Sequence, residues 1–343
     1  MAYRYLGNKN KLSDWITSEI GKVLPNSSTI ADPMCGTASV SEALAQRGHN
    51  VIASDALKFP TLHAKARLLN SKEPQFEKFG GYNSIINTIN SITPIKGYFF
   101  NEFGSEGKPK NRKNPRLYFS ANNAGKIDAI REFIKINYDE GFLSDLERDL
   151  LLHDLILAVN SVANIAGTYG YFRSALSEGA KVPLTINPNN FINTPGIHKV
   201  LQGEAKDILS QETVDGVYLD PPYTKRQYAG NYHILETIAM EDEPEAQGEG
   251  GLRPWSMQAS DFCYKRKAER AFRDVIESTN ARFVFISYSE DGQVETGKLL
   301  NLLRDYGEVE ITTRNHSRYK SNGNAKGGSL LEFLYILEVN NAQ

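Results

Sequence analysis

The chain has 343 residues, 40% apolar and 23% charged, with a formal net charge of −2, which excludes a disordered or strongly basic polypeptide. Its two cysteines, Cys35 and Cys263, give neither a disulfide framework nor zinc-ligand spacing. No stretch reads as a membrane span, and the polar, basic MAYRYLGNKNKL lacks a signal peptide's apolar core, so a cytoplasmic location is expected.

In chain order, KLSDWITSEIGKVL reads as an amphipathic helix. Next comes a strand over Thr29 to Ala31, a tight turn over Asp32 to Thr37, a helix over Ser39 to Arg47 and a strand over Val51 to Ser54. Gly48 stands where a helix-ending glycine belongs. This is one βαβ unit, so a parallel sheet with helices on its faces is expected. That rhythm stops near residue 70. A helix at YNSIINTINSI, a basic loop and two long helices follow, near Asn123 to Tyr138 and Leu143 to Val162. In NIAGTYGYFRSALSEGAKVPL, aromatics alternate with small residues, as in a hairpin or ordered loop. HKVLQGEA and VDGVYLDPPY resume the α/β pattern. Then come a helix in NYHILETIAM, an acidic insert over 242 to 256, a long helix over about 261 to 279 and the buried strand RFVFISYS. A helix, GKLLNLLRDYG, and two strands, EVEITTR and SLLEFLYILE, close the chain.

Three acids stand at strand ends. Asp32 opens the turn DPMCGTASV, where Gly36, Thr37 and Ala38 let a ligand approach the backbone. Open α/β sheets bind ligands at such carboxyl ends. Asp55 follows about 20 residues later, where a carboxylate suits the two hydroxyls of a ribose. It also suits the start of a helix. Asp220 begins Asp220-Pro221-Pro222-Tyr223. The prolines fix the backbone, so the Asp220 carboxylate and the Pro221 carbonyl can face one amine, while Tyr223 offers a face for a base. Two acceptors around an exocyclic amine would draw its lone pair out of ring conjugation. There is no G-x-x-x-x-G-K-S/T loop and no full G-x-G-x-x-G fingerprint. The segment GKPKNRKNPR carries Lys108, Lys110, Arg112, Lys113 and Arg116 with no acid, which fits either a solvated surface or a phosphate-facing loop.

DPPY, the earlier DPMCGT turn and the N-terminal YRYLGNKNKL together resemble the Dam-like (D12 class) N6-adenine DNA methyltransferases, which use S-adenosylmethionine (AdoMet). The resemblance covers most of the chain and is strongest in 3–12, 30–55 and 197–235. It implies a Rossmann-like AdoMet-dependent methyltransferase sheet, an α/β fold, interrupted by a mainly helical target-recognition domain. Catalytic residues 1–70 and 195–343 would flank an insertion over 71–194. It further implies cofactor contacts from Tyr5, Lys9, Asp32, Pro33, Gly36, Asp55, Glu204 and Asp220, catalysis at Asp220, Pro221, Pro222 and Tyr223, and no metal. Met34 replaces the usual Phe of the cofactor turn. The stretch from Asn164 to Arg173 resembles the family's DNA-reading hairpin at a longer spacing.

A flipped base requires a grip on double-stranded DNA. Lys108, Lys110, Arg112, Lys113, Tyr169, Tyr171, Arg173, Lys225 and Arg226 are the candidates. YTKRQYAGNYHILETIA, with the following GLRP and SDFC, also resembles modification methylases of restriction systems. A cognate restriction endonuclease is therefore a functional partner to expect, and a phage or orphan methylase would look alike. Neither cysteine follows a proline, which argues against a C5-cytosine enzyme. Two alternatives stay open: N4-cytosine methylation by the same amine chemistry, and a catalytically silent DNA-binding protein on this fold.

Overall fold

The computed structural model describes residues 5–68, 74–192, 194–317 and 329–340. Two compact units emerge. One comprises 7–69, 193–228 and 258–343, the other 1–6, 70–192 and 229–257. Thus the unit that contains the insertion also takes residues from both flanks of the expected boundaries.

The first unit is built on a seven-stranded sheet, order β3-β2-β1-β4-β5-β7-β6. The strands are β1 (Thr29–Asp32), β2 (Asn50–Asp55), β3 (His198–Gln202), β4 (Gly216–Leu219), β5 (Phe283–Ser289), β6 (Gly307–Ser317) and β7 (Ser329–Val339). The first five run parallel, and β7 enters antiparallel between β5 and β6. Alternate residues feed two separate cores, as a period of two dictates. Val217, Leu219, Val284 and Ile286 pack with Phe272, Val275, Leu299 and Leu302. Tyr218, Phe283 and Phe285 pack on the other face with Trp15, Ile16, Leu44 and Ala45. With both faces covered, β4 and β5 are buried along their whole length and read as continuous apolar runs.

Expected elements are found with shifted ends: Ser13–Ile20, Ser39–Gln46 and Thr296–Arg304 are helices. The long helix expected over about 261 to 279 is shorter. A single 3-10 turn, Asp261–Cys263, precedes a helix over Ala268–Glu277. The helix that Asp55 could start spans Lys58–Leu68. Pro60 lies in its first turn, where a missing amide costs nothing.

The second unit centres on a helical hairpin of Ala121–Asp139 and Asp145–Val162. Ser120 caps the first helix through the Asn123 amide, and Ser144 with Glu147 forms a full capping box on the second. A short helix, Tyr98–Phe103, was not foreseen. The amides of Gly97, Phe99 and Phe100 donate to the Asp128 carboxylate. The aromatic stretch is an ordered loop with one antiparallel bridge, Ile165 to Phe172. Asn164 organises it: its Nδ2 donates to the carbonyls of Leu117 and Ala175, and its Oδ1 accepts the Ser177 amide. Among the described residues, no helix is long and apolar enough to cross a membrane.

Candidate active site

Because β2, β1 and β4 are parallel neighbours, the acids that end them share one edge of the sheet. Asp32 ends β1, Asp55 ends β2, and Asp220 follows the last residue of β4.

Asp32 is 1% exposed. Ser41 Oγ donates to its Oδ2 at 2.6 Å, while Oδ1 is buried with no hydrogen-bond partner. Burial pushes its carboxyl up to about 7; the Ser41 bond opposes this, and the Asp220 and Asp55 carboxylates add to it. The turn that follows is tight. Cys35 N donates to Ser54 O, Gly36 has φ 51° and Ala38 has φ 57°, a left-handed conformation uncommon for alanine. Asp55 bridges two elements: its Oδ2 accepts Gly36 N at 3.2 Å and its Oδ1 accepts Leu57 N at 3.0 Å. It thereby fixes the glycine turn and also the approach to the Lys58–Leu68 helix. The bond to Leu57 N, just ahead of that helix, fits the reading of Asp55 as the start of a helix.

Lys9 is drawn into the sheet edge. Its Nζ lies 3.1 Å from Asp220 Oδ1 and 2.9 Å from Glu332 Oε1, and it is 5.5 Å from the centre of the Tyr223 ring. Burial works against its charge, but the Asp220 and Glu332 carboxylates outweigh that and lift the ammonium above its ordinary range. For Asp220, burial pushes the carboxyl up to about 6; Lys9 pulls it back and Glu332 pushes it further up. Tyr223 O accepts Gln293 N at 3.0 Å, which anchors the loop after the prolines. Gly7 has φ 73°, and a Cβ there would lie 3.1 Å from Tyr228 Oη and 3.7 Å from Tyr223 Cε1. This Gly-Asn-Lys turn therefore favours glycine for its backbone, and the Tyr228 hydroxyl leaves little room for a side chain.

Other expected residues are distributed differently. Tyr5 belongs to the second unit, where it stacks on Tyr232 at 4.9 Å, and Leu6 N donates to Tyr232 Oη. Glu204 is exposed ahead of the five-residue helix Ala205–Leu209 and makes no side-chain cap. Pro33 is buried in the turn, as is Pro221, and Pro222 is partly buried. Lys225 and Arg226 are exposed.

In the second unit the basic segment divides. Lys108, Lys110 and Lys113 are exposed, whereas Arg112 bonds to Glu249 and lies 5.1 Å from the Phe172 ring centre. Arg116 is 0% exposed and pairs with Glu102 Oε2 at 2.7 Å. It also donates to the carbonyls of Glu249 and Gly248. The two loop tyrosines separate too. Tyr169 is fully buried, its hydroxyl on Asn160 and its carbonyl accepting from Tyr118. Tyr171 is 52% exposed and stacks on Phe172 at 4.6 Å. Arg173 is exposed, with its Nε donating to Ile165 O.

Glu332, Ser41 and Ser287 were missing from the sequence reading. Ser287 Oγ donates to Glu332 Oε1 at 2.6 Å. One signal was available for Glu332: a carboxylate inside the apolar run SLLEFLYILE must have a partner if it is buried.

Residues 5–290 match the family described as D12 class N6 adenine-specific DNA methyltransferase. The type II methyltransferase M.NlaIII of Neisseria lactamica is 30% identical over 346 positions, spanning 97% of this chain and 98% of that protein. M.CviAII of Paramecium bursaria Chlorella virus 1, also a type II methyltransferase, is 28% identical over 98% of both chains. The modification methylase LlaI of Lactococcus lactis subsp. lactis is 32% identical over 95% of this chain but only 53% of its own length. The chain thus spans nearly all of two of these relatives and about half of the third. On that match, and with DPPY at the carboxyl end of the parallel strand β4, the chain belongs to the D12 class of N6 adenine-specific DNA methyltransferases.

Proposed function

We propose that the chain transfers a methyl group from AdoMet to the N6 amine of an adenine turned out of a DNA duplex. The observation that carries this reading is the edge shared by Asp32, Asp55 and Asp220, with Lys9 held against Asp220. AdoMet supplies an electrophilic methyl group on a sulfonium, and the edge is suited to a cation. Burial pushes the Asp32 carboxyl up and the Asp220 and Asp55 carboxylates add to it, a strain on negative charge that a neighbouring cation would relieve. Asp32, Pro33, Gly36 and Asp55 hold the cofactor, with Asp55 on the ribose hydroxyls and Lys9 towards the methionine end. Asp220 and the Pro221 carbonyl accept from the adenine amine, the two prolines keep that pair rigid, and the base lies on Tyr223. Asp55→Ala is expected to weaken AdoMet about 10- to 100-fold, the scale of hydrogen bonds to a charged group. An unchanged calorimetric titration would remove Asp55 from the ribose.

The insertion, residues 71–194, grips the DNA. Lys108, Lys110 and Lys113 take phosphates, together with Lys225 and Arg226 beside the catalytic loop. Arg112 and Arg116 shape the loop that presents them. Tyr171 is the outward ring able to stack on a base, while Tyr169 fixes the loop from within. Changing the three lysines to glutamine should flatten the salt dependence of DNA binding by up to about 0.9 per lost phosphate contact. Tyr171→Ala should cost the stacking of a base, roughly 1–3 kcal/mol of DNA affinity. Filter-binding titrations over a range of salt read both, and an unaltered slope would return the lysines to solvent.

Similarity to type II methyltransferases and a modification methylase supports a role as the modification half of a restriction system, in which a nuclease cuts the same sequence when it is unmethylated. Methylation-sensitive sequencing of DNA from cells that express the chain reports base and context together. Methylated cytosine, or no methylated base, would overturn the reading.

A further inference from the structure

Three stretches of the second unit, far apart in sequence, are tied into one surface: the basic loop, the aromatic loop and a hairpin over 247–252. The hairpin lies in the acidic segment after DPPY, outside 71–194. It is closed by backbone bonds in both directions between Gln247 and Leu252, and Gly248 and Gly251 carry left-handed angles in its turn, φ 64° and 67°. Its tip is clamped from beneath. Arg116 donates to the carbonyls of Gly248 and Glu249 at 3.1 and 3.2 Å, and Arg112 Nη1 donates to the Glu249 carbonyl at 3.3 Å. Tyr118 Oη lies 3.0 Å from Gly250 O and 2.8 Å from Tyr169 O, so one hydroxyl joins the hairpin to the aromatic loop. A Cβ on Gly250 would come within 2.8 Å of Gly170 O, which puts the tip against the residue beside Tyr171. Arg112 in turn lies over Phe172, the ring that stacks on Tyr171.

Glu249 stands at this tip. Its Oε2 is 3.2 Å from Arg112 Nη2, yet its side chain is 72% exposed. An exposed ion pair contributes little to stability, so stability does not account for an acid here. On a surface that takes phosphates, a carboxylate is repelled by the DNA backbone. Base edges differ from phosphates, because some of them present donors.

We propose that Glu249 is a base-reading residue, which accepts from the N4 amine of a cytosine in the major groove. This rests on the reading above that the second unit grips DNA. An ionised carboxylate only accepts hydrogen bonds. Guanine and thymine show it acceptors in that groove, and adenine shows an N7 acceptor beside its amine. Cytosine shows a donor with no acceptor of its own next to it. Arg112 holds the carboxylate by one oxygen and the clamped tip fixes its backbone, so little freedom is lost on contact. Glu249 and the exposed Tyr171 then act on the same stretch of DNA, one on a base edge and one on a base face.

The test selects duplexes from a randomised library on the full chain and sequences those retained, beside single-turnover methylation of the selected sequences. Wild type should select one C·G pair whose replacement weakens binding roughly 5- to 150-fold, the range for one good base contact. Glu249→Ala should lose that discrimination and keep the preference at other positions. Glu249→Gln should turn the same position towards adenine, because an amide donates to N7 and accepts from N6. Both variants should bind unrelated DNA at least as tightly as wild type, since a negative charge is gone. Their melting temperatures should match wild type within about 2 °C, as for an exposed side chain. If the sequences selected by wild type and Glu249→Ala agree at every position, the proposal is overturned and Glu249 is only the partner of Arg112. A Glu249-dependent position that is not a cytosine overturns it as well. A wild-type chain that selects duplexes but transfers no methyl group would sink the proposed function, and the selected sequences would still decide the role of Glu249.

Discussion

Asp220→Ala is expected to lower single-turnover methyl transfer by at least about 10³-fold, the upper range for removing one preorganised group at a reacting centre. The fold should survive. Asp220 follows the last residue of β4 rather than lying in the ladder, and its removal leaves Lys9 paired with Glu332. No lone buried charge is created, so the usual penalty for breaking such a pair is avoided. The wild-type rate should have a matching pH dependence. The Asp220 carboxyl is pushed up to about 6, so its charge is present above that pH and lost as pH falls through it. Methylation should fall on the acid side accordingly. Asp220→Asn should show a low rate without that acid limb. Tritium transfer from labelled AdoMet measures both, and an alanine variant within tenfold of wild type would end the mechanism.

Arg116→Ala should destabilise the second unit by about 3–5 kcal/mol. The guanidinium is completely buried, and its loss strands the Glu102 carboxylate in the interior. The carbonyls of Glu249 and Gly248 each lose one of their donors as well. Denaturant unfolding followed by hydrogen exchange distinguishes the two units, each of which has its own core. Amides of 121–162 should lose protection while those of β4 and β5 keep theirs. A shift under about 1 kcal/mol would place Arg116 with the ordinary surface arginines. By contrast, Lys108, Lys110 and Lys113 should be thermally neutral because they are exposed.

The sheet was legible wherever signals were local. The βαβ start, with its glycine turn and Gly48 stop, needed only hydrophobic period and turn chemistry. The three acids were findable because a strand that ends in a carboxylate shows itself within a few residues. What depended on distant chain was not legible. A run of Lys and Arg gives no sign that Arg116 turns inward, since its partner Glu102 and the carbonyls at 248–249 come from elsewhere. Tyr169 and Tyr171 have the same side chain two residues apart, yet one is interior and the other outward. Partners distant in sequence hold Tyr169 inside: its carbonyl accepts from Tyr118 and its amide donates to Asn231 O. The Lys58–Leu68 helix was legible only as one of two readings of Asp55, because Pro60 reads as a breaker unless its place in the first turn is known. Residues 229–257 continue the catalytic segment in sequence but belong to the second unit, a choice made by partners such as Tyr118, Arg116 and Arg131.

The ammonium between Asp220 and Glu332 joins the chain's ninth residue to its three hundred and thirty-second. Such a contact has very high sequence separation, and the entropy of closing those loops must be spent before it forms. The charge cluster is therefore among the last features to assemble after synthesis. Refolding followed by methyl transfer should lag refolding followed by burial of aromatic rings. A split or permuted version of the chain will work only if both cuts preserve that late closure.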